Sequence, residues 1–338
     1  MSCVGIIANP ASGKDIRRLV AHASVFDNNE KVNILQRVLL ALDAAGVDQV
    51  TIMPDYYGLG ERSLDGLKLS SLRADILDTP MTSSDADSTT AAQRLCEMNA
   101  GSIVVLGGDG TNRVVAKGCG DVPIISISTG TNNVFPMMVE STVAGLAAGL
   151  VALGLVDAEA VTYRAKRLEV CIDGELVDIA LVDVVTSCDL WIGTRAIWNP
   201  DNIQEIVLAR AEPGSIGLSS VGSCLQAVSV RDGHGMYLAI GAGGTQVLAP
   251  MGPGLVTRVP IREHHLISVG SEVTLSSDPC TIALDGERTI EVYGTRTITV
   301  RLTKDGPRVV DIARCMEEAT RCGVLQRLGT SNGKEVGH

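Results

Sequence analysis

The stretch that decides the fold is Ser102-Ile-Val-Val-Leu-Gly-Gly-Asp-Gly-Thr-Asn-Arg113. Its apolar first half predicts a buried strand over residues 103–106, and three glycines then end that strand. Thr111 has the hydroxyl of a helix cap, so we expect a helix from Asn112 to about Lys117. A strand, a glycine turn and a helix start present free backbone N–H groups and the positive end of a helix dipole, which together form an anion site.

Asp109 does not suit a simple phosphate-binding loop, because it places a carboxylate where a phosphate would lie. Two anions repel one another unless a cation or a proton transfer links them. The turn therefore predicts a nucleoside triphosphate bound with Mg²⁺, and a carboxylate that handles the attacking hydroxyl group. The alternative is a tight structural turn with Asp109 facing water, which the density of glycine around this acid disfavours.

Residues 1–158 alternate apolar strand-like runs with segments of helical spacing, joined by short turns. This alternation predicts an α/β domain with a doubly wound, Rossmann-like parallel sheet, in which ligands bind at the carboxyl ends of the strands. The other predicted strands cover residues 3–8, 49–53, 75–77 and 123–127, and the other predicted helices cover residues 29–46, 84–99 and 142–155. A helix start is also predicted over residues 15–22, and a loop with a helix over residues 56–72.

Two further turns follow strands of this domain. Ser128-Thr-Gly-Thr-Asn-Asn133 supplies hydroxyl and amide groups one strand away from Asp109, although the same residues could form a simple loop. Asn9-Pro-Ala-Ser-Gly-Lys14 lacks the spacing of a P-loop, so Lys14 need not touch phosphate.

Residues 159–304 consist of short apolar or alternating runs with almost no helical periodicity, which predicts an all-β sandwich as the second domain. The runs cover residues 167–172, 176–186, 236–240, 266–269, 272–275, 281–284, 289–292 and 297–302. A last helix, over about residues 310–328, lies in a segment (305–330) that we expect to pack back on the first domain. Residues 331–338 are expected to be a disordered tail.

Two copies of the tripeptide Asp-Gly-Glu, at Asp173 and Asp285, lie between strand-like runs. Asp-Gly is a common hairpin signal, so the residues alone favour a structural role for both copies. Trp191 and Trp198 bracket Arg195 in a segment that is not strand-like; the pattern fits an acceptor pocket or a packed loop.

Composition excludes several classes of protein. The chain has 338 residues and a formal charge of −11, which argues against nucleic acid or an anionic membrane as the main partner. Its nine cysteines include no C-x-x-C pair and no apolar run is long enough to span a membrane, so we expect reduced thiols in a cytoplasmic protein. A homodimer is the default expectation for such an enzyme.

Four motifs, in this order, resemble those of the superfamily of NAD kinases, diacylglycerol kinases and sphingosine kinases. They are Asn9-Pro-x-Ser-Gly, Gly107-Gly-Asp-Gly-Thr111, Thr129-Gly-Thr-Asn-Asn133 and Leu284-Asp-Gly-Glu287. The whole chain, including Asp178-Ile-Ala-Leu-Val-Asp-Val-Val185 and Ala249-Pro-Met-Gly-Pro-Gly254, most resembles the acetoin catabolism protein X (AcoX) branch of ATP-NAD kinase-like proteins.

The resemblance implies ATP with Mg²⁺ in an interdomain cleft and phosphoryl transfer to a hydroxyl, with Asp109 in the place of the catalytic aspartate. Asp285 and Glu287 match an acidic motif associated with metal, while Asn133, Asp183 and Arg195 are expected near the acceptor. The residues expected at the nucleotide are Asn9, Ser12, Gly107, Gly108, Gly110, Thr111, Asn112, Thr129, Gly130, Thr131 and Asn132.

One departure concerns the acceptor. NAD kinases carry an Asn-Glu or Asn-Asp pair after Ala-Leu, whereas here Ala180-Leu181 is followed by Val182-Asp183. The loss of the amide weakens the case for NAD, and no basic, aromatic surface stretch favours a lipid. The leading hypothesis is a kinase of a small polar metabolite; the alternatives are an NAD kinase and a nucleotide-binding accessory protein without turnover.

Overall fold

A computed structural model of the chain describes residues 1–13, 22, 26–130, 132–188, 202–276 and 280–331. The predictions for Lys14 and the helix start that follows it, for Thr131, for Arg195 and its flanking tryptophans, and for the tail after residue 331, lie outside the described residues.

The strands are β1 Cys3–Ala8, β2 Gln49–Ile52, β3 Arg73–Ile76, β4 Ser102–Gly107, β5 Ile124–Ser128, β6 Thr162–Arg164, β7 Arg167–Ile172, β8 Glu175–Ala180, β9 Asp183–Ser187, β10 Ile203–Leu208, β11 His234–Gly252, β12 Leu255–Ser268, β13 Glu272–Leu275, β14 Cys280–Leu284, β15 Glu287–Val292, β16 Ile298–Thr303 and β17 Arg308–Val310. The helices are α1 Asn28–Ala45, α2 Leu59–Leu64, α3 Asp85–Glu97, α4 Asp109–Ala116, α5 Ser141–Ala152, α6 Ala158–Val161, α7 Leu218–Ser223, α8 Ile312–Arg321 and α9 Val324–Ser331.

The first sheet has the strand order β3-β2-β1-β4-β5-β17-β6. Strands β1 to β5 and β17 pair in parallel, and only β6 runs antiparallel. Alternate residues of the central strands point to opposite faces: Val104 packs in a core with α1 and α5, whereas Val105 packs in a core with α3. The predicted doubly wound α/β domain is therefore confirmed, with its topological switch point between β1 and β4.

The helix after β4 begins earlier than the sequence predicts. We expected Thr111 to cap a helix starting at Asn112, but α4 starts at Asp109 and its N-cap is Gly108. The Thr111 hydroxyl instead accepts a hydrogen bond from the Asn9 side chain, at 3.0 Å. The correction matters because it places Asp109 inside the first helical turn, where the helix dipole favours a negative charge.

The second half of the chain forms antiparallel sheets, as predicted. One has the order β12-β11-β10-β9-β14-β15 and the other β13-β16-β7-β8. Side chains of the two sheets share one core: Val170 and Val300 from the smaller sheet pack with Val184 and Ile282 from the larger one. This is a β-sandwich. The opposite face of the larger sheet is covered by α7.

The run predicted as one strand over residues 176–186 is two strands, β8 and β9, which belong to different sheets. The chain crosses between the sheets at Leu181 and Val182, whose backbone N–H groups donate to the Asp285 carboxylate. A continuous apolar pattern cannot reveal such a crossing, because Leu176 and Val177 of β8 are as apolar as the buried residues of β9 although they are exposed.

The hairpin of β11 and β12 is much longer than predicted. The sequence predicted strands over residues 236–240 and 266–269, and none over the glycine-rich residues 241–244 (Gly-Ala-Gly-Gly). The glycine segment is instead a bulge within β11, where pairing shifts between Ile240 and Thr245 on the same partner, Ile261.

The carboxy-terminal segment returns to the first domain, as predicted. Strand β17 joins the first sheet beside β5. Cys315 and Ala319 of α8 lie in the core that contains α1 and α5. The predicted single helix is divided into α8 and α9 at Gly323, whose φ is +64°. Strand β6, just beyond the predicted boundary at residue 158, also belongs to the first sheet. Within the described residues, no helix combines the length and apolarity needed to cross a bilayer.

Candidate active site

Three turns meet at the carboxyl ends of β1, β4 and β5. Asn9, after β1, donates its backbone N–H to the Leu106 carbonyl at 3.0 Å and its side-chain amide to Thr111. Thr129, after β5, donates its backbone N–H to the Gly107 carbonyl at 3.3 Å. The sheet order places these turns side by side at the switch point, where open α/β sheets bind ligands.

Asp109 is fixed at the centre of this group. It is 8% exposed, and its Oδ1 accepts backbone N–H bonds from Val134 (3.0 Å) and Phe135 (2.7 Å), while Oδ2 lies 3.1 Å from the Val134 nitrogen. Its helix is capped by Gly108, which has no side chain to occupy the first-turn amides. The carboxylate therefore has a fixed orientation beside backbone donors that an anion can use.

Asp183 and Asp285 form a reciprocal clasp in the second domain. The Asp285 Oδ1 accepts backbone N–H bonds from Leu181 (2.9 Å) and Val182 (2.7 Å). The backbone N–H of Asp285 donates to the Asp183 carbonyl at 2.9 Å, and that of Gly286 donates to the Asp183 carboxylate at 3.0 Å. The clasp fixes both acids on the β14–β15 hairpin and the start of β9.

The electrostatic environment of Asp285 is unusual. Burial raises the pKa of this carboxyl well above its ordinary value; Arg113 opposes the shift, and the negative charges of Asp183 and Asp109 add to it. Its Oδ2 has no hydrogen-bond partner among the described residues and lies 3.7 Å from the similarly unpartnered Nε of Arg113. The second oxygen is thus fully buried beside the Arg113 guanidinium, with no hydrogen bond between them.

A cleft between the domains brings these acids together. It encloses about 330 Å³, including space open to solvent, and we call it the acidic cleft. It is defined by three acidic residues and four apolar residues: Asp109, Asp183, Asp285, Val134, Ile216, Leu218 and Met251. Asn132 also faces it. Asp109 thus faces a cavity shared by both halves of the molecule.

Three of the residues predicted at the nucleotide are linked into one chain of hydrogen bonds. The Ser12 hydroxyl donates to the Asn9 carbonyl at 2.7 Å, and the fully buried Thr129 hydroxyl donates to Ser12 at 2.8 Å. Sequence reasoning missed Lys31, a fully buried ammonium group that donates to the carbonyls of Asn9, Pro10 and Ser12. Its signal was its position on the apolar stripe of α1, four residues before Leu35.

The side chains of Asn112 and Asn133 are both hydrogen-bonded to neighbouring turns. Asn112 is fully buried; its side chain donates to the Gly108 carbonyl at 2.9 Å and accepts from the Ser126 hydroxyl at 2.7 Å. Asn133, expected at the acceptor, donates to the Ser128 hydroxyl at 2.8 Å. Both residues hold turns together, and their contact with a ligand stays a prediction.

The glycines of the central turn allow close packing as well as the exposure of backbone N–H groups. A Cβ on Gly107 would lie 2.5 Å from the Thr111 side chain, and one on Gly108 would lie 2.8 Å from the Asn133 side chain. A Cβ on Gly110 would meet a carboxylate oxygen of Glu287 at 3.6 Å. Glu287 therefore lies next to the first turn of α4, while Gly130, the remaining predicted glycine, follows Thr129 and contacts Asn133.

Two buried arginines that the sequence analysis did not assign connect the domains at this site. Arg113, one helical turn after Asp109, donates to Asp178 of β8 at 3.1 Å, and Lys117 lies 2.6 Å from the same carboxylate. Arg210, from the segment after β10, donates to the Val134 carbonyl at 3.3 Å. The sequence feature that could have identified each of them is a single charged residue next to apolar residues.

Arg210 also packs over the Phe135 ring, with its guanidinium carbon 5.4 Å from the ring centroid. Because Val134 and Phe135 provide the N–H groups that hold Asp109, Arg210 supports the orientation of that carboxylate from the other domain.

The donor set suits ATP with Mg²⁺ in two respects. The first turn of α4 is capped by Gly108 without a side-chain bond, which leaves backbone N–H groups for an anion. The Asp285 oxygen without a hydrogen-bond partner and the Glu287 carboxylate are oxygen atoms of the type that Mg²⁺ prefers. No cluster of three or more His, Cys, Asp or Glu side chains capable of holding a metal occurs in the described part of the chain. Mg²⁺ in kinases generally uses one or two carboxylates together with the phosphates, so the pair remains compatible with it.

Comparisons with known proteins agree with this architecture. The family model for the ATP-NAD kinase N-terminal domain matches residues 4–155, and that for the acetoin catabolism protein X C-terminal domain matches residues 166–305. Acetoin catabolism protein X of Cupriavidus necator is 38% identical over 338 residues, covering 96% of this chain and 94% of the relative. A crystal structure of yeast NADH kinase complexed with NADH superimposes with a TM-score of 0.54 at 13% identity, covering 100% of this chain and 90% of the other, which shows a common fold. The chain therefore belongs to the acetoin catabolism protein X family, within the NAD kinase-like proteins.

Proposed function

We propose that this kinase-family protein transfers the γ-phosphate of ATP, with Mg²⁺, to a hydroxyl group of a small polar metabolite, in acetoin catabolism or related carbon metabolism. The observation that supports the proposal is the placement of Asp109: it lies in the first turn of α4, it is oriented by the amides of Val134 and Phe135, and it faces the acidic cleft. The acetoin link rests on the name of the relative from Cupriavidus necator.

The geometry suggests a division of tasks. The first-turn amides of α4 bind the phosphates, and Asp109 orients the acceptor hydroxyl and accepts its proton. The acceptor oxygen forms a bond to the γ-phosphorus while the bond to the β–γ bridging oxygen breaks, and ADP leaves with that electron pair. Asp285 and Glu287 would hold Mg²⁺, which neutralises charge on the phosphates. Because the transition state of phosphoryl transfer is loose, positioning contributes much of the effect.

The test is ADP formation with a panel of small alcohols, diols and hydroxy acids, for the wild type and Asp109→Asn. We expect the substitution to lower kcat by at least about 100-fold, the size of a general-base contribution, while ATP affinity changes little. Asp43→Asn is a matched control, because Asp43 also accepts backbone N–H bonds, from Ser70, Ser71 and Leu72, but lies far along the chain from the cleft. An equal loss of binding and turnover in Asp109→Asn would contradict the base role.

Two rival functions remain distinguishable in the same assay. NAD kinase activity predicts ATP consumption with NAD and none with the alcohol panel; Asp183 without a preceding amide argues against it. A non-catalytic accessory protein would bind ATP, and Asp109→Asn would leave every measured property unchanged. A homodimer and a cytoplasmic location stay predictions from the sequence, as does Arg195 at the acceptor.

A further inference from the structure

Helix α4 carries three charged side chains along one face. Asp109 lies in its first turn, Arg113 follows four residues later, and Lys117 is the C-cap, eight residues after Asp109. Residues four apart in a helix lie on the same side, about 6 Å apart along the axis. The face that carries Asp109, which borders the acidic cleft, therefore also carries two cations.

Both cations bind one carboxylate of the second domain, that of Asp178 in β8. Nη1 of Arg113 donates to Oδ2 at 3.1 Å, and Nζ of Lys117 lies 2.6 Å from Oδ1. The side chains of Arg113 and Asp178 are only 3% and 16% exposed, so solvent screens their attraction weakly. A carboxylate held at both oxygens by two residues one helical turn apart fixes the rotation and the position of α4 on the second domain.

A β-bulge in β8 comes directly before Asp178. Asp178 pairs with Val170 of β7. Leu176, two residues earlier, pairs with Cys171, only one residue further along β7, so Val177 is an additional residue of β8. Bulges next to active sites re-aim side chains. The smaller sheet thus departs from regular pairing at the point where it binds α4.

The proposed reaction uses groups from both domains. The first-turn amides of α4 and Asp109 belong to the first domain, whereas Asp285 and Glu287 belong to the second. Glu287 lies so close to α4 that a Cβ on Gly110 would meet its carboxylate at 3.6 Å. A misplacement of about 1 Å in the reacting geometry can lower a rate about 100-fold. The contact that fixes α4 on the second domain therefore controls how these groups meet.

We propose that Asp178 is a positioning residue for phosphoryl transfer. By holding Arg113 and Lys117 it sets the distance between Asp109 and the hairpin that carries Asp285 and Glu287. Asp178 is not among the described residues that surround the acidic cleft, so it acts through α4 and not on the substrates. This inference rests on the proposed kinase function.

Asp178→Asn is the main test. The amide removes the charge but keeps an oxygen that can accept a hydrogen bond from Arg113, so the buried arginine retains an acceptor. With Mg-ATP and the best acceptor of the alcohol panel, we expect kcat to fall at least about tenfold, because the reacting groups are misplaced. The ATP affinity in EDTA depends on first-domain groups and should change by less than about twofold. Equal losses of kcat and of ATP affinity in EDTA would indicate general damage to α4 and overturn the inference.

Glu169→Gln is the matched control. The Glu169 side chain is also 16% exposed and lies in β7, the strand next to β8, but its Oε1 accepts from Nε of Arg167 in the same strand, at 3.1 Å. The substitution removes a carboxylate–arginine pair that lies within the second domain, so it should leave kcat unchanged. Equal losses of kcat in Glu169→Gln and Asp178→Asn would overturn the inference.

Lys117→Met tests whether the effect passes through α4. The Lys117 side chain is 35% exposed, so the fold tolerates its replacement. If Asp178 acts by holding α4, Lys117→Met should lower kcat about threefold, and the double variant with Asp178→Asn should lose clearly less than the product of the two single losses. Losses that multiply would mean that the two residues act independently, which would overturn the inference.

The remaining outcomes separate this inference from the proposed function. If the wild type phosphorylates an alcohol and Asp178→Asn does so with the same kcat, the inference fails while the kinase function stands. If NAD is the acceptor, the same changes in kcat are expected with NAD. If neither the alcohol panel nor NAD leads the wild type to form ADP, both the proposed function and the inference fail.

Discussion

The two Asp-Gly-Glu hairpins have the same sequence and nearly the same backbone, yet their surroundings are opposite. Asp173 and Asp285 have φ values of +52° and +54°, and the glycines that follow have φ values of +84° and +77°. Positive φ at both central residues is typical of the tight turn that Asp-Gly favours. The turn therefore explains the tripeptide equally well in both places.

The difference lies in what each carboxylate faces. The Asp173 side chain is 44% exposed, accepts the Thr297 N–H and pairs with Arg296; these bonds lower its pKa. The Asp285 side chain is fully buried in its clasp with Asp183 and faces Arg113 of the first domain, and burial raises its pKa. The comparison teaches that the local sequence determines the turn, whereas the domain packed against the hairpin determines whether its acid can take part in chemistry.

The largest difference is expected when each acid is removed. Asp285→Ala should lower the free energy of unfolding by about 3 kcal/mol, because two buried N–H groups lose their acceptor and Arg113 loses a counter-charge. Asp173→Ala should cost less, about 1 kcal/mol, since it removes only exposed bonds to Thr297 and Arg296 and places Ala at a positive φ. Urea denaturation monitored by circular dichroism measures both, and equal losses would erase the distinction.

The glutamates that follow the two turns offer the next test. Glu287 lies beside Gly110, whereas Glu175 is exposed at the start of β8. If Glu287 helps to hold Mg²⁺, Glu287→Gln should weaken ATP binding by about tenfold in the presence of Mg²⁺ and hardly at all in EDTA. Glu175→Gln is the matched control and should change neither affinity in titration calorimetry. A Glu287→Gln effect independent of Mg²⁺ would argue for packing in place of metal binding.

Substituting the glycine of each turn distinguishes the effect of the backbone conformation, which the two turns share, from the effect of their different surroundings. Gly174→Ala and Gly286→Ala should each cost about 1 kcal/mol of stability, because an L-residue is strained at positive φ. A Cβ on Gly174 would contact nothing within 4 Å, while Gly286 faces the acidic cleft. We therefore expect only Gly286→Ala to weaken acceptor binding as well; a binding defect in Gly174→Ala would show that the effect acts through global stability.

The sequence predicts features that depend on local pattern and misses those that depend on contact between distant segments. The doubly wound order, the β-sandwich and the placement of Asp109 at the end of β4 follow from apolar periodicity and glycine turns. The division of residues 176–186 into two strands does not, since it depends on Asp285 binding the amides of Leu181 and Val182 from about 100 residues away. A hydrophobicity pattern describes only neighbouring residues, so it cannot predict a hydrogen bond between segments this far apart.

The same limit applies to the candidate site. Arg113, Arg210 and Lys31 are buried cations whose partners lie in other segments, so each appears in the sequence only as a charged residue without an identifiable partner. That signal indicates that a partner exists but cannot identify it. The role of Asp285 became an expectation only through resemblance to a family, because its tripeptide is indistinguishable from that at Asp173.

The smallest expected effect concerns pH. The contributions of Asp285 and Asp173 to the free energy of unfolding, measured in EDTA, should depend on pH with opposite signs. The folded pKa of Asp285 is raised by burial, so the folded state binds the proton more tightly, and this contribution to stability is lost as pH rises through the folded pKa. The folded pKa of Asp173 is lowered, so its contribution is present above the unfolded value of about 4 and is lost as pH falls through the folded pKa. The free energy of unfolding of the wild type relative to Asp285→Asn should therefore decline as the pH rises toward neutral. The same quantity relative to Asp173→Asn should decline as the pH falls. Each slope against pH should correspond to at most about one proton. Slopes of the same sign would mean that Arg113 affects the folded pKa of Asp285 more than burial and the charges of Asp183 and Asp109 do. The two hairpins would then differ less than their surroundings imply.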